Sequence, residues 1–271
     1  MSLALTPQEL DARIGFSAAW ALGARGQGIG VAVLDTGVAP EHADSIDGYP
    51  TGFEAHHDFS GDDAPGRTPS VHAARMAAAV RRVAPEAPLL DGKVFPAEGR
   101  LRRRHVADAL AFVLEAQPRY RVVNLSLWIP AGWWVFRCEP GDRCVACRAV
   151  NAAADAGLLV VAAAGNTGGV VECPGAAERA LTVGATETAA QRAHYEAGGT
   201  YGEWTGTSFS AALVSGCAAA AWSVRPEATA DEVRAALIAS ARPLAGEPES
   251  HQGAGVVHAG RAAHLLASGG V

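Results

Sequence analysis

The chain has 271 residues, 49% hydrophobic and 18% charged, enough apolar material for a sizeable core, which excludes a disordered polypeptide. A net charge of -6 is mild and of the wrong sign for a nucleic-acid binder. The richest apolar stretch, residues 211–222, is too short to span a bilayer, and Met1–Thr6 lacks a basic start with an apolar run behind it, so neither a membrane partner nor a signal peptide is expected and a cytoplasmic location is.

Short aliphatic runs alternate with alanine-rich helical stretches, and no repeat, low-complexity tract or linker divides the chain, so one α/β domain over 1–271 is expected, with a parallel sheet covered on both faces. Helices are expected at 6–14 and 17–22. The run 30–34 is a buried strand that delivers Asp35 to the turn Thr36-Gly37. A carboxylate after so many apolar residues needs partners; it either caps the next turn or orients a histidine. His56 and His57 sit in an acidic, glycine-containing stretch, 52–63, and read as solvated. A helix over 72–83 carries His72 in its first turn, where the dipole should depress its pKa and keep the ring a neutral base. A strand at 89–94 leads to Arg100, Arg102, Arg103 and Arg104, read either as a solvated helix start or as a preference for acidic substrates. A helix over 103–116 and a strand over 122–127 follow.

Trp128 and Ile129, with Trp133 and Trp134 close behind, read as an apolar cover or as a narrowed specificity wall. Of the five cysteines, Cys217 reads as a small core residue. Cys138, Cys144, Cys147 and Cys173 are compatible with two disulfides, with a four-thiolate zinc site (Cys144-x-x-Cys147 has a suitable spacing) or with unpaired thiols. A helix is expected at 147–156. The strand 158–163 stops at Gly165-Asn166, whose side-chain amide either caps a turn or donates to developing negative charge. After a strand at 181–185, Gly206-Thr207-Ser208 opens an alanine-rich helix over 208–224 and presents Ser208 at a helix N-terminus, a setting that suits a nucleophile whose attack creates an oxyanion. The last expected helix, 230–240, follows Thr229 with Glu232 three residues on, a capping box.

In chain order, Asp35-Thr36-Gly37, the helix from His72, Asn124-Leu125-Ser126-Leu127, the run ending in Gly165-Asn166 and Gly206-Thr207-Ser208 together resemble the motifs of the subtilisin-like serine protease family over nearly the whole chain. The resemblance implies a three-layer fold with a mostly parallel central sheet and helices on both faces. It implies Ser208 as nucleophile, His72 as general base, Asp35 as the group that orients the imidazole, and Asn166 as oxyanion donor. It also implies peptide or protein substrates bound along Gly99, Arg100 and Leu101 on one side and Ser126, Leu127, Trp128 and Gly165 on the other. No cofactor or metal is called for: the segment 81–85 is short and lacks acidic ligands, so no calcium is expected there. Two departures stand out. Ala73 and Ala74 replace the glycine and threonine usual after the histidine, and Trp128-Ile129 replaces glycines. The expected activity is a narrow-specificity processing endopeptidase. The alternatives are a pseudoprotease that binds peptides, and a peptide ligase working through the same acyl-enzyme.

Overall fold

The computed structural model describes residues 6–62, 70–98, 100–129, 144–167, 171–186 and 206–270. The first half of the chain forms α1 (Pro7–Ile14), α2 (Phe16–Ala21), β1 (Gly30–Asp35), a small hairpin of β2 (Ser45–Ile46) and β3 (Tyr49–Pro50), β4 (Ala55–Asp58), α3 (His72–Val83), β5 (Leu89–Lys93) and α4 (Arg103–Glu115). The second half forms β6 (Tyr120–Leu125), α5 (Val145–Asp155), β7 (Leu159–Ala163), β8 (Leu181–Val183), α6 (Thr207–Trp222), α7 (Ala230–Ser240), α8 (Glu249–Gln252) and α9 (Ala259–Ser268). Gly99, Trp133, Trp134 and Cys138 lie outside the described residues.

Six strands make one sheet in the order β4-β5-β1-β6-β7-β8, and every neighbouring pair is parallel. Successive side chains of β1 go to opposite faces, as a period of two demands. Val31 and Val33 join Val122 and Val161 in a core roofed by alanines of α3, α6 and α9. Ala32 and Leu34 join Val123 and Val160 in a second core closed by Val106 and Leu110 of α4 and Val150 of α5. Both faces are therefore covered, which is why these strands read as unbroken apolar runs and why the expected three-layer α/β architecture holds. The capping box at α7 is made as expected: Thr229 accepts from the Glu232 N–H while Glu232 accepts from the Thr229 N–H.

One expectation needs correction, and one helix was not anticipated. The stretch carrying His56 and His57 is not a solvated loop but the edge strand β4, paired to β5. The C-terminal segment beyond residue 240 holds a ten-residue helix, α9, packed on α2, α6 and α7.

Helices α3 and α6 lie side by side, and a glycine sets their separation. A Cβ at Gly216 would stand 2.7 Å from the Val80 carbonyl oxygen and 2.9 Å from the Val83 Cβ. Gly216→Ala is therefore expected to push the helices apart and cost about 1–3 kcal/mol, as overpacked cores do. Urea unfolding checks it: the midpoint drops and the slope is unchanged. An unmoved midpoint would show that the contact is looser than described. The last turn of α3 also carries its own cation, because Arg81 donates to the carbonyl oxygens of Thr51, Gly52 and Pro85.

Candidate active site

The site forms where β1 and β6 end. Asp35, the last residue of β1, is fully buried, and the Thr36 N–H donates to its Oδ1 at 2.6 Å. His72 Nδ1 lies 2.8 Å from Oδ1 and 3.0 Å from Oδ2 of the same carboxylate. An ionised carboxylate only accepts, so Nδ1 carries the proton and Nε2 is left as the basic nitrogen. Val71 offers no side-chain cap to α3. Instead the Ala73 N–H donates to Thr36 Oγ1 and the His72 N–H to Ser70 Oγ, which ties the start of the helix to the end of the strand.

The imidazole is not depressed by the helix N-terminus as the sequence suggested. The Asp35 charge beside it raises its pKa above the ordinary histidine value, opposed by burial and by Arg75. A carboxylate in direct contact outweighs the diffuse partial charge of a helix end.

Ser208 is the second residue of α6. Gly206 caps that helix with φ +112°, a left-handed backbone that suits glycine. Ser208 Oγ donates to the Ser126 carbonyl at 3.2 Å, and Ser126 Oγ donates to the Ser208 carbonyl at 2.7 Å. Behind this pair, Asn124 Nδ2 donates to Ser126 Oγ and Ser215 Oγ donates to Asn124 Oδ1, all buried. This polar clamp fixes α6 to β6, and Asn124 and Ser215 are members that sequence reasoning gave no role.

In the sheet, Val33 stands opposite Asn124, so two residues on, Asp35 closes β1 and Ser126 directly follows β6; Asp35 holds His72 and Ser126 holds Ser208.

Asn166 follows β7. Its Oδ1 accepts from the Thr207 N–H at 3.0 Å and from Thr207 Oγ1 at 2.9 Å. A backbone N–H can only donate, so this end of the amide is oxygen and the other end is the NH₂. Thr207 Oγ1 also accepts from the Gly165 N–H at 3.3 Å. Thr207 thus positions Asn166, a role its place between Gly206 and Ser208 did not disclose.

On the flanks the expected residues divide. Leu127 and Ile129 are buried in the core under α4 and α5, which for Ile129 agrees with the reading as an apolar cover, whereas Trp128 is 41% exposed. Arg100 is exposed and Leu101 packs partly on the core; Gly165 is buried with φ +100°. His56 is not merely solvated: its Nδ1 is 2.7 Å from buried Asp91, which raises its pKa. Next to it, the fully buried Lys93 donates to Asp58 and Asp62 at 2.8 and 3.1 Å.

The model of the subtilase family matches residues 26–200 and 192–256, which takes in all of these elements. The chain belongs to the subtilase family. It is a serine endopeptidase, acting on peptide or protein substrates. This subtilase is 30% identical over 266 residues to the thermostable alkaline protease of Halalkalibacterium halodurans, covering 88% of this chain and 68% of that protein. It is 30% identical over 236 residues to subtilisin Savinase of Lederbergia lenta, covering 76% and 81% respectively. Among solved structures it resembles the prenylagaramide maturation protease PagA, with a TM-score of 0.70 at 20% identity over 93% of this chain and 98% of that one. It also resembles the MycP3 protease of the type VII (ESX-3) secretion system, with a TM-score of 0.68 at 25% identity over 96% and 88%. Among the described residues, no helix of this subtilase is long and apolar enough to cross a membrane.

Proposed function

We propose that residues 1–271 form one catalytic domain in which Ser208, His72 and Asp35 hydrolyse peptide bonds, with Asn166 as oxyanion donor. The observation that carries this reading is the hydrogen bond of His72 Nδ1 to buried Asp35 at 2.8 Å, which leaves Nε2 as the nitrogen that would serve as base for Ser208. The hydroxyl leaves the Ser126 carbonyl and turns to the imidazole, which takes its proton as Oγ attacks the substrate carbonyl. Asp35 stabilises the imidazolium that results. The negative oxygen of the tetrahedral intermediate is met by Asn166 Nδ2 and the Ser208 N–H at the helix N-terminus. His72 then returns the proton to the leaving amine, and water repeats the sequence on the acyl-enzyme.

Substrate backbone would lie between the segment of Gly99, Arg100 and Leu101 and that of Ser126, Leu127 and Trp128, adding an extended strand. Exposed Trp128 beside Ser126 supports a narrow specificity of the processing kind. Exposed Arg100 and Arg102 would favour acidic residues in the substrate. Labelling by a fluorophosphonate, followed by masses of the products from a peptide library, tests the reading: label on Ser208 and hydrolysed peptides support it. Intact peptides, or label on another residue, would overturn it.

Asn166→Ala should lower kcat by about 10² to 10³-fold with KM little changed, the range known in this family for loss of one such donor. Steady-state kinetics on one cleaved peptide decides this. An effect confined to KM would make Asn166 a binding group.

A further inference from the structure

We propose that Cys144, Cys147 and Cys173 bind a zinc ion that joins the start of α5 to the segment following β7. Cys144 is the N-cap residue of α5, Cys147 lies one turn into it, and Cys173 comes from the connection between β7 and β8. Their sulfurs all lie within 4.8 Å of one another. The Cys173 sulfur is 3.3 Å from that of Cys144 and 3.7 Å from that of Cys147. Thiolates bound about 2.3 Å from one tetrahedral zinc stand about 3.8 Å apart, whereas a disulfide needs about 2.05 Å. Cys173 faces both sulfurs of the C-x-x-C pair, as a shared ion requires.

The surroundings agree with a closed structural site. All three residues are buried and belong, with Ile129, Ala146 and Ala177, to the apolar core under α4 and α5. Cysteines gathered in so apolar a place can ionise only beside a cation, and sulfur-rich tetrahedral sites select zinc over calcium or magnesium. Cys217 is the contrast: alone in the other core, its thiol is pushed up to about 12 by burial. Cys138 lies outside the described residues, and the three-thiol site is proposed without it.

The position gives the ion a purpose. The Ile129 N–H donates to the Cys173 carbonyl at 2.8 Å, and Ile129 follows Ser126, Leu127 and Trp128 directly. A metal on Cys173 would therefore hold the Ser126–Ile129 segment and the segment after Asn166 to the rigid helix α5. It would brace two flanks of the candidate active site without touching substrate.

The inference stands apart from the catalytic reading, and Ser208→Ala protein, which cannot digest itself if that reading holds, serves for its test. Protein isolated without chelators or oxidants should hold about one zinc per chain by elemental mass spectrometry. Its X-ray absorption should give three or more sulfurs at about 2.3 Å. Cobalt exchanged into the site should show thiolate-to-metal charge transfer and the red absorption of a tetrahedral ion. Cys147→Ser and Cys173→Ser should reduce bound metal to background. If either variant fails to fold, the absorption spectrum of the unaltered cysteines still decides. Zinc bound through oxygen or nitrogen alone, metal-free protein after dialysis against equimolar zinc, or a disulfide between two of the three under anaerobic isolation would overturn the proposal.

Discussion

Ser208→Ala is expected to lower kcat by about a millionfold, the magnitude known in this family for loss of the nucleophile, while the fold survives. The rate loss is large because attack at the carbonyl and proton transfer to His72 depend on one oxygen. The fold survives because Oγ makes one hydrogen bond among the described residues, to the Ser126 carbonyl, and such a bond is worth about 1 kcal/mol net. The reciprocal bond from Ser126 Oγ ends on the Ser208 backbone, so the variant keeps the clamp between α6 and β6. His72→Ala should lose nearly as much, and the double variant little more than either, because the two side chains act as a unit. Single-turnover kinetics, with thermal unfolding as the control for folding, checks each step. Ser208→Ala protein that still cleaved peptide, or a double variant whose losses multiplied, would remove Ser208 and His72 from the same reaction.

The central strands were legible because burial on both faces leaves an uninterrupted apolar run, as at Val31–Leu34 and Val160–Ala163. The edge strand β4 was not. Its residues, Ala-His-His-Asp, are exposed or half-buried, and only backbone pairing to β5 makes it a strand. Helix α9 lacked a start signal. Its N-cap is His258, whose ring nitrogen accepts from the Arg261 N–H, a role usually held by serine, threonine, aspartate or asparagine. Gly260, near its start, further weakens the pattern, yet there a Cβ would come within 2.7 Å of Ala18, so tertiary packing on α2 dictates it.

The site divides along the same line. Asp35, Asn166 and Ser208 each follow a local signal, a strand end or a helix start. Their mutual arrangement is non-local: Asn124 reaches Ser215, ninety-one residues away, and Thr207 reaches Asn166 across forty-one. No short-range pattern encodes such pairs. The direction of the His72 shift was missed for the same reason, since the helix end is written beside it in the sequence and Asp35 is not.

Asp35→Asn should reduce kcat by about 10⁴-fold and move the pH dependence of what remains. In the native enzyme Asp35 holds the imidazolium, so the ascending limb of kcat/KM against pH should lie above the usual histidine value of about 6.5. Without that charge, burial and the positive charge of Arg75 are left, and both favour the neutral ring, so the limb moves to lower pH. Stability runs the other way. A histidine whose pKa is raised on folding adds stability that is fully present below about 6.5 and fades as pH rises through the folded value. Activity therefore requires the protonation state that the Asp35–His72 pair stabilises least. Titrating the His72 ring by NMR in the Ser208→Ala background reads the shift without turnover, with and without Asp35→Asn. A ring that titrates identically in both would mean that the short contact to Asp35 does not set its charge, and the pair could not work as a base and its orienting group.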